Sequence, residues 1–179
     1  FFRGLPDTPP LTRLAEDVRT LVLHFRHHPT VHYYWRSRYA DATIIDTSTT
    51  RPDFIDLTEF GQIVIVRHIE SDWLSYLGRT KPAHTRVIYF LDDDIPGLFP
   101  DGFLTGRYVL RNRYRYLRSL STLDRLCDAV CVSTPALAER YGQPVQSVVE
   151  PLPCEDDLPQ TKRGLTDNAS TPLIFYHGT

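Results

Sequence analysis

The sequence predicts a single α/β domain built on a mostly parallel, doubly wound sheet of the Rossmann-like kind. Short apolar runs rich in β-branched residues alternate along the chain with segments of helical periodicity, which is the order of elements in a parallel sheet crossed by helices. The runs are continuously apolar, as expected of strands covered on both faces. A chain of 179 residues is long enough for one such domain and a short remainder.

Six apolar runs are predicted to be strands. In chain order they are residues 42–46, 62–69, 86–92, 129–134, 145–152 and 173–176. Between the last two lies a stretch rich in proline and charge, which is typical of a linker between domains. We therefore expect one domain over residues 1–152, an interdomain linker over 153–172, and the first strand of a missing second domain over 173–179. The chain has no methionine, so we expect a fragment of a longer protein.

Four segments are predicted to be helices. They are residues 11–28, 71–77, 103–126 and 136–141. The first carries an apolar stripe at spacings of three and four residues, and Ser71 is placed to cap the second. The fourth has the strongest local signals, because Thr134 is a capping residue, Pro135 suits the first helical position and Gly142 suits the end.

The composition excludes several classes of protein. Apolar residues make up 41% and charged residues 23%, which is globular rather than disordered or collagenous. No run approaches the ~18 apolar residues of a membrane span, and no signal peptide opens the chain, so we expect a cytoplasmic protein. The net charge of −2 argues against bulk nucleic-acid binding. Cys127, Cys131 and Cys154 lack zinc-site spacing and are expected to be reduced thiols.

Polar and ionisable side chains follow the predicted strands at their carboxyl ends. Ligands of open parallel sheets bind outside those ends, so these side chains are expected to share one crevice. The candidate substrate-binding residues are Arg67, His68, Asp92, Asp93, Asp94, Ser133, Thr134 and Glu150. Which of them takes part in catalysis does not follow from the sequence.

The three consecutive aspartates have several interpretations. Three neighbouring carboxylates do not all ionise easily in a closed site, so they suit hydroxyl binding, general base catalysis or metal coordination. Alternatively, they form a solvated corner in which one aspartate caps the turn before Gly97. Arg67 and His68 either orient a substrate or, in the case of Arg67, pair structurally with Asp92 or Asp93. We expect no metal site, because the histidines between residues 24 and 32 lack the HExxH pattern.

The long helix carries a stripe of arginines. At ~100° per residue, five of them fall on one face, and the apolar residues, including Leu110, Tyr114 and Leu117, are expected mostly to face the sheet. The five are Arg107, Arg111, Arg115, Arg118 and Arg125. The stripe is a solvated face, a patch that docks to anionic membrane or a lipid-phosphate acceptor, or, as the least favoured alternative, a nucleic-acid contact.

An aromatic segment, residues 27–39, precedes the first predicted strand. Its residues Tyr33, Tyr34 and Trp35 either line a sugar-acceptor site or fill the core. Neither GxGxxG nor GxxxxGK[ST] follows any predicted strand, so nucleotide binding by those glycine-rich loops is unsupported.

Several stretches resemble the N-terminal domain of GT-B glycosyltransferases, particularly the retaining, family 4-like (group 1) enzymes. The resemblance is carried by residues 87–97 (VIYFLDDDIPG), 127–141 (CDAVCVSTPALAERY) and 148–153 (VVEPLP). Residues 174–179 (IFYHGT) are similar to the opening strand of the C-terminal donor domain of these enzymes. The glycine-rich turn that usually follows their first strand is not found near the N-terminus.

The resemblance implies an acceptor-binding domain, one of two Rossmann-like domains that face each other across a cleft. The whole enzyme would move a sugar from a nucleotide sugar to a hydroxyl of a glycan or lipid-linked acceptor, in the cytoplasm or peripherally on the inner membrane face. The donor nucleotide would bind the missing C-terminal domain, so this fragment is expected to hold no cofactor and to be inactive alone. The rival interpretation is a non-catalytic, flavodoxin-like binding or regulatory domain that contacts a partner or anionic membrane through residues 107–125.

Overall fold

The protein forms a six-stranded, all-parallel sheet with helices packed against it. The computed structural model describes residues 18–26, 28–39, 41–97, 105–142 and 145–152. The strands are β1 (Thr20–His24), β2 (Thr43–Asp46), β3 (Gln62–Val66), β4 (Arg86–Leu91), β5 (Ala129–Val132) and β6 (Val145–Val148). Their order across the sheet is β2-β1-β3-β4-β5-β6. The predicted α/β class is confirmed.

The helices lie between the strands along the chain. They are α1 (Pro29–Val31), which continues as a π-helical turn over His32–Arg36, α2 (Ser71–Thr80), α3 (Gly106–Leu126) and α4 (Pro135–Tyr141). Short 3-10 turns occupy Pro52–Phe54, Leu57–Glu59 and Ile95–Gly97. No described helix is long and apolar enough to cross a membrane.

The winding of the chain reverses at β1, and this reversal places helices on both faces of the sheet. The connection from β1 to β2 packs Val31, Trp35 and Tyr39 against one face. From β3 onward the chain moves the other way, and α2, α3 and α4 cover the opposite face with residues that include Trp73 and Tyr116. Right-handed crossovers running in opposite directions require this arrangement. The topological switch point, where ligands of such sheets bind, therefore lies between β1 and β3.

The helix predicted over residues 11–28 is wrong where the structure can be compared with it. Residues 20–24 form β1, a central strand, and the stretch before residue 18 lies outside the described residues. Val22 pairs with Ile44 on one side and with Val64 on the other. The apolar positions fitted a helical stripe, but a short apolar run is also compatible with a strand buried on both faces, and periodicity alone does not separate the two.

Three other elements differ from the sequence prediction. The helix expected over 71–77 continues to Thr80, and its N-cap is Glu70 rather than Ser71. The aromatic segment over residues 27–39, which was expected to be a loop before the first strand, contains α1 and the π-helical turn. The strands β3 to β6 also end earlier than predicted, so β3 ends at Val66 and leaves Arg67 and His68 in the loop beyond it.

The prediction for α4 is confirmed in detail. The Thr134 hydroxyl accepts a 3.2 Å hydrogen bond from the backbone N–H of Leu137, and Pro135 begins the helix. Gly142 ends it with a φ of +68°, which glycine adopts at little cost.

Some predictions fall outside the described residues. These are the linker over 153–172, the strand over 173–176 and the thiol of Cys154. Cys127 and Cys131 are free and buried. Burial raises the pKa of the Cys131 thiol to about 12, so this thiol is protonated at neutral pH.

Candidate functional site

The carboxyl edge of the sheet contains two strained loops, one after each strand of the switch point. Arg26 follows β1 with a φ of 61°, and Arg67 follows β3 with a φ of 59°. Non-glycine residues rarely adopt this left-handed conformation, and it is maintained where surrounding contacts fix it. Two hydrogen bonds fix the backbone of Arg67. Its N–H donates to the Phe90 carbonyl at 2.9 Å, and its carbonyl accepts from the Tyr89 hydroxyl at 2.6 Å.

Arg67 links two of the three consecutive aspartates. Its Nε lies 2.5 Å from Asp92 Oδ1 and its Nη2 lies 2.6 Å from Asp92 Oδ2, a bidentate pair. The same Nη2 lies 2.7 Å from Asp93 Oδ2. The prediction that Arg67 pairs with these carboxylates is confirmed. One guanidinium faces two carboxylates, so the cluster carries one excess negative charge when both are ionised.

Buried hydroxyl groups fix the Asp92 side of the cluster. The Thr30 hydroxyl donates a 2.5 Å hydrogen bond to Asp92 Oδ2, and the Ser133 hydroxyl donates a 3.2 Å bond to the Asp92 carbonyl. Thr30 and Ser133 are both buried. Asp92 is therefore a structural anchor whose oxygens are already engaged.

Asp93 is the member of the cluster that reaches solvent. Its side chain is 41% exposed, compared with 9% for Asp92 and 20% for Arg67. It opens onto a shallow pocket of about 490 Å³ that Thr134 and Leu137 also line. Burial, followed by the charge of Asp92, raises the pKa of Asp93 above its usual range, although Arg67 opposes the shift. A partly exposed carboxylate of raised pKa is suited to accept a hydrogen bond or a proton from a ligand hydroxyl.

Asp94 has the capping role that the sequence left open. Its Oδ1 accepts hydrogen bonds from the Gly97 N–H at 3.1 Å and from the Tyr141 hydroxyl at 3.0 Å, and its Oδ2 pairs with Arg140 Nε at 2.8 Å. A Cβ at Gly97 would overlap this carboxylate, which accounts for the glycine there. Asp94 therefore ties the loop after β4 to α4.

Two other predicted site residues have different settings. Glu150 is exposed, and its backbone carbonyl accepts a 2.9 Å hydrogen bond from Arg38. His68 lines a different pocket from the three aspartates, and its ring lies 4.9 Å from that of Phe25. Burial, followed by the charge of Arg115, lowers the pKa of His68 to about 4, so its imidazole is neutral at physiological pH.

A second cleft, the switch-point cleft, opens beside His68. It has a volume of about 280 Å³ and is formed by the loops after β1 and β3, the start of α2 and the middle of α3. Arg111, Arg115 and Arg118 line it, whereas Arg107 and Arg125 of the predicted stripe are not among its lining residues. The arginine stripe is thus divided between a cleft and open surface.

The exposed side of α3 differs from the prediction. Its buried residues include Val109, Tyr116 and Leu123. Leu110 is 72% exposed, Tyr114 63% and Leu117 57%, although they were expected mostly to face the sheet. The covered arc of the helix is centred on Tyr116, and these three lie outside it.

The aromatic segment fills the core in part. Trp35 is fully buried, with its ring 5.0 Å from that of Phe90. Tyr34 packs against the same ring at 5.0 Å but stays half-buried. Among the described residues, no group of three or more histidine, cysteine, aspartate or glutamate side chains is arranged to hold a metal ion.

Sequence reasoning missed the contributions of β1 to this edge. Thr30 and Phe25 follow β1, and their positions could not be predicted because that strand was assigned to a helix. The continuously apolar run of residues 21–23 was the available signal in the sequence. No protein-family model, curated protein or solved structure matches this chain.

Proposed function

We propose that this chain is the acceptor-binding domain of a glycosyltransferase, and that Asp93 binds a hydroxyl group of a glycan or lipid-linked acceptor. The observation that carries the proposal is the Arg67–Asp92–Asp93 cluster at the carboxyl edge of an open parallel sheet, with Asp93 facing a pocket. The sugar-transfer class comes from the resemblance of residues 87–97 and 127–141 to GT-B enzymes. The fold alone does not specify it.

The chemistry of the cluster supports a hydroxyl ligand. Arg67 and the hydroxyl of Thr30 hold Asp92, so the excess negative charge falls on Asp93. A carboxylate accepts a hydrogen bond from an alcohol, and the raised pKa of Asp93 makes it a better proton acceptor than an ordinary aspartate. In this proposal the nucleotide sugar binds a separate donor domain, and residues 1–152 transfer no sugar by themselves.

The test is an NMR titration of the chain with neutral oligosaccharides as acceptor probes. We expect chemical-shift changes confined to residues 67, 92–94 and 133–134. Asp93→Asn should weaken binding by roughly tenfold, because hydrogen bonds to charged groups contribute about 1.5–3 kcal/mol. Asp53→Asn is the matched control, since Asp53 also pairs with an arginine, Arg51 at 2.8 Å, but does not line the pocket.

The same titration separates the proposal from its rival. The first five strands follow the order of flavodoxin-like sheets, which suits a non-catalytic binding domain equally well. If the oligosaccharides cause no changes near Asp93, or if Asp93→Asn and Asp53→Asn bind equally, the acceptor site is wrong. Binding of partners confined to α3 would then favour the rival.

A further inference from the structure

We propose that the switch-point cleft binds a phosphoryl group through Arg111, Arg115 and Arg118. This site is separate from the Asp93 pocket and does not depend on the function proposed for that pocket. The phosphoryl group belongs either to a soluble phosphate monoester or to the headgroup of a phosphomonoester lipid such as phosphatidate, since both present the same dianion.

The charge of the cleft is complementary to a phosphate monoester. Its lining contains three arginines and a single carboxylate, Glu70, so the cleft carries an excess of two positive charges. His68 adds none at neutral pH, because its pKa lies at about 4. A phosphate monoester carries about −1.5 to −2 at pH 7. A carboxylate or a sulfate ester carries a single negative charge, so it would neutralise less of the positive charge of the cleft.

The three arginines are available to a ligand. Salt bridges between described residues involve Arg19, Arg51, Arg67, Lys81 and Arg140. The three arginines of the cleft therefore form no ion pair with a carboxylate among the described residues. Guanidinium groups bind phosphate oxygens through two parallel hydrogen bonds, which suits such a cluster to a phosphoryl group.

Arg115 is already oriented toward the cleft. Its Cζ lies 5.0 Å from the centre of the Phe25 ring, and that ring packs against His68. The Ser119 hydroxyl, also in the cleft lining, donates a 3.0 Å hydrogen bond to the Arg115 carbonyl. A stacked guanidinium loses less side-chain entropy when a ligand binds.

The position of the cleft agrees with its proposed use. It lies between the loops after β1 and β3, which is where the winding reverses and where open α/β sheets bind ligands. Ser71, the first residue of α2, also lines the cleft, so the positive end of that helix dipole adds to the field of the arginines.

The test is a titration of the full chain with inorganic phosphate, followed by amide chemical shifts and calorimetry. We expect shifts at residues 68–71 and 111–119. The double variant Arg111→Gln/Arg118→Gln should bind phosphate roughly a hundredfold more weakly, because each removes a charge-assisted contact. Both side chains are exposed, so the variant is expected to fold.

The matched control is Arg107→Gln/Arg125→Gln, which removes the same charge from the same helix outside the cleft. Phosphate affinity should be unchanged in it. An equal loss in both double variants would show attraction by net charge alone and would overturn the site. Acetate bound as tightly as phosphate, or an absence of shifts at residues 68–71, would overturn it as well.

Two further arms identify the source of the phosphoryl group. Glycerol 3-phosphate represents a soluble ester, and phosphatidylcholine vesicles containing phosphatidate represent a lipid headgroup. The soluble source is indicated if the ester binds and the vesicles do not sediment the protein. The lipid source is indicated if the phosphatidate vesicles sediment the protein and pure phosphatidylcholine vesicles do not. That sedimentation should be lost when either Arg118 or the exposed Leu117 is replaced.

Discussion

Arg67 combines a strained backbone with a shared ion pair. A left-handed conformation costs a non-glycine residue about 1–2 kcal/mol, and here the hydrogen bonds with Phe90 and Tyr89 offset that cost. The conformation places the guanidinium against Asp92 and Asp93 at once. The end of β3 therefore controls which carboxylate remains open to the pocket.

Removal of the Arg67 side chain should destabilise the fold. Arg67→Ala leaves Asp92, which is 9% exposed, without its cation, and breaking such a pair costs about 3 kcal/mol. Arg67→Gly loses the same guanidinium but tolerates the φ of 59°, so it should be about 1 kcal/mol more stable than Arg67→Ala. Urea unfolding of the two variants and the parent measures both differences.

A third variant checks the electrostatic part of this prediction. Asp92→Asn introduced into Arg67→Ala removes the uncompensated charge, and it should recover part of the lost stability. No recovery, together with equal stability of the Ala and Gly variants, would mean that neither the ion pair nor the backbone strain matters at this position.

At the scale of elements, α4 and β1 show what the sequence can predict. The signals for α4 are local, since Thr134, Pro135 and Gly142 act on the backbone beside them. The state of β1 is decided by its neighbours, because β2 and β3 pair with it on both sides although they are distant in the chain. Local periodicity did not contain that information, and helix and strand were both compatible with it.

The central position of β1 makes it sensitive to loss of volume. Leu23 is fully buried in the core beneath α2 and α3, so Leu23→Ala should cost about 2–5 kcal/mol of stability. Val18, which is 36% exposed just before the strand, is the control, and Val18→Ala should cost about 0.5 kcal/mol or less. Equal and small effects in urea unfolding would contradict the placement of β1 in the centre of the sheet.

The sequence predicts the part of the candidate site that lies at the ends of correctly assigned strands. It does not predict the part that follows β1, because that strand was assigned to a helix. The positions of Arg67, Asp92 and Ser133 follow from the strands before them, and the structure brings all three together. Thr30 was missed with β1. The division of the arginine stripe was also missed, because a helical wheel gives the directions of side chains but not which arc another element covers.

At the scale of the whole molecule, the carboxyl edge contains two histidines held neutral by the fold. Burial, followed by the charge of Arg67, lowers the pKa of His28 to about 4, and His68 has a pKa of about 4 from burial and Arg115. Each has a buried ring nitrogen with no hydrogen-bond partner among the described residues. The fold therefore disfavours protonation at both positions around the switch point.

This arrangement predicts a loss of stability in mild acid. Histidines of the unfolded chain bind protons near pH 6.5, whereas His28 and His68 in the folded chain do so only near pH 4. Between these values the unfolded state binds more protons, so stability falls as the pH decreases from 6.5 to 4 and is constant above that window. The loss should be of order 3 kcal/mol for each histidine, and the raised pKa of Asp93 offsets part of it.

Urea unfolding midpoints at a series of pH values measure the effect. The double variant His28→Gln/His68→Gln should flatten the dependence between pH 6.5 and 4, whereas His84→Gln, at an exposed position, should leave the parent's dependence unchanged. A parent midpoint that is constant through this window would show that the two imidazoles are solvated in the folded protein. If the double variant loses as much stability between pH 6.5 and 4 as the parent, the acid sensitivity comes from groups other than His28 and His68.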